Sequence, residues 1–136
     1  MTEELHKFTK YMFLVGGILP LCFTVAFIFL WEWFFRGVQQ WPFDDPAMPR
    51  IFAGAVISFS VMGFLVFFTV KTWSEAKIPL ITFLVFGWGG VAINLYLLFS
   101  FPIHNWHWFN ILSYLLVAIG FTIALILQIR MKKQQV

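Results

Sequence analysis

The chain has 136 residues, of which 61% are apolar, 21% aromatic and only 11% charged, with a formal net charge of +3 at pH 7. A soluble domain carries about a quarter charged residues and an apolar share near or below half, and no single small core buries 19 Phe, 7 Trp and 3 Tyr. A soluble fold, a disordered chain, a coiled coil and a disulfide-stapled domain are thereby excluded.

A bilayer core requires about 20 consecutive apolar residues in a helix. Four runs meet this: 11–31, 51–70, 78–99 and 108–129, each free of Asp, Glu, Lys and Arg except at its edges. Lipid offers no hydrogen-bond partner, so the backbone of each run must satisfy itself as a helix. The alternating ten-residue segments of a membrane β-barrel are absent from the sequence. The predicted fold is an all-α polytopic membrane protein, a single domain over 1–136. Its four transmembrane helices, about 11–35, 46–70, 75–99 and 104–130, form an antiparallel bundle.

The first run is preceded by Glu3 and Glu4 beside Lys7 and Lys10. It is too long for a signal-peptide core and no small-residue cleavage site follows, so it is expected to remain as a helix. Pro20 removes one backbone hydrogen bond and predicts a kink near Gly16 and Gly17. Cys22, between Leu21 and Phe23, reads as a packing residue. Asp45 followed by Pro46 reads as an N-cap that opens the second helix. Ser74 with Glu75 reads as the opening of the third.

Small residues mark where helix backbones meet in lipid. The first helix offers Gly17, Pro20 and Thr24, and the second Gly54 and Ser58. The third offers Gly87, Gly90 and Asn94, and the fourth Ser113, Val117, Gly120, Ala124 and Gln128. The lean faces are expected to point inward. Asn94 reads as an interhelical hydrogen bond worth about 0.6 kcal/mol, with a polar station in a permeation path as the alternative.

Lys and Arg set orientation. Lys7, Lys10, Lys71, Lys77, Arg130, Lys132 and Lys133 share one side, and only Arg36 and Arg50 lie on the other. Both termini are therefore expected in the cytoplasm, with the chain in a bacterial inner membrane. The basic residues form no aromatic–basic stripe, so membrane lipid rather than nucleic acid is the expected partner.

Groups able to do chemistry gather in the two outer loops. Asp44 and Asp45 lie in the first, His104 and His107 in the second. Convergence of the four would make a mixed nitrogen and oxygen metal shell. His104 and His107 could instead ligate a tetrapyrrole, with Trp106 and Trp108 against the ring. The simpler reading makes His and Trp a headgroup belt and the aspartates loop and cap residues. No nucleophile, base and orienting group come together in the sequence, so a catalytic site is not expected.

The segments Pro49-Arg50-Ile51-Phe52-Ala53-Gly54 and Trp73-Ser74-Glu75-Ala76-Lys77-Ile78 resemble a pattern in uncharacterised small four-helix bacterial membrane proteins. The resemblance covers roughly the middle third of the chain and implies architecture only. The function expected from small size and many outward aromatics is a non-catalytic accessory or interaction subunit of a larger membrane assembly. The alternatives are a homo-oligomeric channel or transporter, and a metal- or tetrapyrrole-binding subunit using the outer histidines.

Overall fold

A computed structural model of the protein describes residues 4–30, 32, 33, 47–100 and 107–134. The described residues form four helices: α1 (Lys7–Phe29), α2 (Ala47–Thr69), α3 (Trp73–Ser100) and α4 (His107–Gln134). All four are long and apolar enough to cross a membrane, since 23 residues at 1.5 Å each span about 34 Å. This makes the chain an integral membrane protein built as a helical bundle.

Two helix starts differ from those read in the sequence. α1 begins a full turn before Tyr11, where the His6 side chain accepts the Phe8 N–H at 3.2 Å and caps the helix. α3 opens at Thr72 rather than Ser74. The Thr72 hydroxyl donates to Glu75 at 2.8 Å while its carbonyl accepts the Ala76 N–H. Charged and polar residues at these ends stay helical because the first turn lies outside the hydrocarbon.

The helices pack as neighbouring antiparallel pairs. α1 lies along α2, α3 along α4, and α1 also along α4, whereas the neighbours α2 and α3 touch less. The centre is aromatic. Phe13, Phe83 and Phe121 are fully buried, with Phe83 and Phe121 stacked at 4.6 Å and Phe13 edge-on to both. α2 reaches this core through Phe59, which stacks on Phe86 at 4.0 Å.

Backbones approach most closely at glycines. A methyl group on Gly63 would lie 2.5 Å from the Gly17 nitrogen and 2.7 Å from the Phe13 carbonyl oxygen. One on Gly87 would lie 2.8 Å from the Ala118 backbone. Gly120 faces the Met12 side chain, and Gly90 lies under the Tyr114 ring. The stripe Ser113, Val117, Gly120, Ala124 and Gln128 is buried along its whole length.

The packing face of α2 is not the expected one. Gly54 has nothing within 4 Å of the place a Cβ would occupy, and Ser58 is exposed and bonds back to the Gly54 carbonyl. The buried stripe is Ala53, Val56, Ser60 and Gly63. Small size alone did not select the face; the fit against Gly17 did. Cys22, read as a packing residue, is exposed. It lies on the outer surface of α1, where a thiol is as comfortable in lipid as in a core.

The end of the bundle that carries the chain termini is tied down by hydrogen bonds. Gln128, 1% exposed, accepts the His6 N–H at 2.9 Å and donates to the Glu4 carbonyl at 3.0 Å. Leu5 N–H donates to the Lys71 carbonyl at 2.9 Å, and Thr9 donates to the Ala124 carbonyl at 3.3 Å. The residues before α1 thus bridge α4 and the α2–α3 loop.

Candidate functional site

At the opposite end, away from the termini, the four helices diverge around a cavity of about 470 Å³. Its volume falls within the 300–1,000 Å³ usual for small-molecule sites. Each helix contributes for an identifiable reason. α1 runs past Pro20, where it lacks a backbone N–H, and presents Phe23 and Phe27. α2 presents Phe52 and Val56, and α3 presents Phe86 and Gly90, whose bare backbone lets the Tyr114 ring lie over it. α4 supplies most of the polar edge: His107, Asn110, Ser113 and Tyr114.

Below the cavity, the Phe59–Phe86 stack closes the space between α2 and α3. Above that stack the seam is loose, and the exposed side chains of Phe52 and Ile93 flank it. A sealed, empty apolar cavity of this volume would cost on the order of 10 kcal/mol, comparable to the whole stability of a small domain. An opening toward the lipid removes that cost, because apolar molecules can enter and fill the space.

His107 is the unusual wall residue. It is the first residue of α4 and only 2% exposed, and its buried Nε2 has no hydrogen-bond partner among the described residues. The ring lies against the backbone of Asn94 on α3. Among the described residues the Asn94 side chain makes no interhelical bond. Its Nδ2 donates to the Gly90 carbonyl of its own helix at 2.7 Å. Ser113 likewise bonds back to the Phe109 carbonyl at 2.8 Å. These two polar side chains satisfy their own helices, and the imidazole nitrogen is left over.

The predicted site residues separate into three groups. His107, Asn94, Gly90 and Pro20 line the cavity. Gly17, Gly87 and Gly120 stand at helix contacts, and Gly54 faces outward. His104, Asp44 and Asp45 lie outside the described residues, and among the described residues no three His, Cys, Asp or Glu side chains gather as a metal shell. The headgroup-belt reading of His107 is corrected, since the ring is inside the bundle; its neighbour Trp108 is exposed, as a belt residue would be.

Sequence reasoning missed the placement of His107 although the signal was present. The small-residue stripe of α4, extended back from Ser113 by two steps of three, passes through Asn110 and reaches His107. That is the buried face of a helix continued to its first residue. The Ser60 and Gly63 face was missed because Gly54 and Ser58 offer the same two residue types at a similar helical spacing, four rather than three.

No protein-family model, curated protein or solved structure matches the chain.

Proposed function

We propose that the chain is a small, non-catalytic integral membrane protein that works as an accessory subunit of a larger assembly in a bacterial cytoplasmic membrane. The observation that supports this reading is the uneven closure of the bundle. Among the described residues three neighbouring helix pairs pack closely, while α2 and α3 touch less. Exposed apolar side chains flank that seam, Phe52 on α2 and Ile93 on α3. Helix association in lipid depends on close packing rather than on hydrophobic drive, so a loosely packed seam is where another membrane helix gains most by docking.

Mass measurement after extraction in a mild detergent tests the reading. The expected result is a particle heavier than one 15.9 kDa chain that contains a second kind of chain. Integral multiples of the single chain would replace the accessory role with self-assembly. A stable single chain from membranes at native abundance would overturn both.

A further inference from the structure

We propose that the cavity among α1, α2, α3 and α4 binds an uncharged lipophilic alcohol, whose hydroxyl donates a hydrogen bond to Nε2 of His107. This goes beyond the accessory role and does not depend on it, because all four walls belong to one chain.

The recognition chemistry follows from the tautomer. A neutral imidazole has one donor nitrogen and one acceptor nitrogen. The His107 ring lies against the Asn94 backbone, and Asn94 is in the interior of α3, where its N–H is committed to the residue four before it. What that backbone can still offer is a carbonyl lone pair, so the nitrogen facing it carries the proton. Nε2, the nitrogen without a partner among the described residues, is then an acceptor. A buried acceptor left unpaired is unfavourable, and a hydroxyl proton from a ligand would satisfy it.

The walls define the rest of the molecule. Among the described residues no Asp, Glu, Lys or Arg lines the cavity, so an ionised head would find no counter-charge among them. This disfavours a fatty-acid carboxylate, a phospholipid phosphate and the propionates of a haem, although an unpartnered imidazole nitrogen is by itself a competent iron ligand. Phe23, Phe27, Phe52 and Phe86 supply aromatic faces for an unsaturated or ring-bearing body. The volume, about 470 Å³, suits an alcohol of isoprenoid or sterol-like size. Entry is lateral, from the membrane, between Phe52 and Ile93.

The test uses the full chain purified in detergent and a photoreactive diazirine analogue of farnesol as the probe. Capture should saturate, map to cavity residues and be competed by farnesol. Farnesyl methyl ether, which lacks the donor, and farnesoic acid, which is charged, should each compete about tenfold more weakly, the loss expected for one net hydrogen bond. In His107→Leu the alcohol should weaken about tenfold while the ether is unchanged, so that the preference disappears. If that variant does not fold, the alcohol-against-ether comparison on the parent protein decides alone. Equal competition by alcohol and ether, preference for the acid, absence of saturable capture, or a Soret absorbance in the purified parent would each overturn the proposal.

Discussion

Glycines of identical chemistry have very different roles in this chain, and the difference is what a methyl group would meet. At Gly63 it meets the backbone of α1, and at Gly87 the backbone of α4. Neither backbone can move without parting two helices. At Gly120 it meets the end of the Met12 side chain, which has three rotatable bonds and can turn aside. At Gly54 it meets nothing. Replacing each with Ala should therefore give a graded series. Gly63→Ala and Gly87→Ala should each lose about 1–3 kcal/mol through overpacking, and Gly120→Ala should lose less. Gly54→Ala should be neutral or gain up to about 1 kcal/mol from helix propensity. Thermal unfolding in one detergent orders the four variants. A Gly54→Ala loss equal to that of Gly63→Ala would show that the α2 face has been assigned wrongly.

At the scale of the element, polar side chains repair what the helices leave open. Pro20 has no N–H to offer the Gly16 carbonyl, and at that level of α1 Ser60 of α2 donates to the neighbouring Gly17 carbonyl at 2.7 Å. Membrane helices tolerate proline when a neighbour supplies such a donor. Ser60→Ala should cost about 0.6–1.7 kcal/mol, the range for interhelical hydrogen bonds in membranes, and Ser58→Ala should cost nothing measurable because Ser58 is exposed and bonds only its own helix. Equal melting of the two variants would show that Ser60 gives α1 no support beside Pro20. At the other end of α4, Gln128 holds the segment before α1 through two hydrogen bonds. Gln128→Leu should leave the bundle folded but speed exchange of the His6 amide by at least tenfold, since that amide loses its acceptor. Unchanged exchange would show that the segment is held by Leu5 and Thr9 instead.

Over the whole molecule, the number and type of helices were legible in the sequence because lipid imposes one strong rule: 20 apolar residues with a self-satisfied backbone. The buried face of α4 was equally legible, since its stripe of small residues has no rival on that helix. The face of α2 was not, because Gly54–Ser58 and Ser60–Gly63 compete on nearly equal terms and only the partner surface on α1 decides. The cavity was illegible for a further reason. It arises from where four helices diverge, a property of no single segment. The Asn94 side chain, read for its polarity, bonds within α3, and its backbone carbonyl is what reaches across to the imidazole.

The bundle also turns the charge asymmetry into a property of one end. Gln128 bonds Glu4, and Leu5 bonds Lys71, so the N-terminal segment, the α2–α3 loop and the last turns of α4 share that end. Lys7, Lys71, Lys77, Arg130, Lys132 and Lys133 are all exposed there, while Arg50 is exposed at the start of α2 at the other end. Basic residues near short loops are retained in the cytoplasm, and Lys132 and Lys133 in the last turn of α4 also suit the negative end of the helix dipole. The termini are therefore expected to be cytoplasmic. Cysteine labelling can read this directly, because Cys22 is the only native thiol and Cys22→Ser gives a silent background. In intact cells, a membrane-impermeant maleimide should modify Arg50→Cys and spare Lys71→Cys until the membrane is opened. Labelling of Lys71→Cys in intact cells, with Arg50→Cys protected, would invert the topology and place the cavity in the leaflet nearer the cytoplasm.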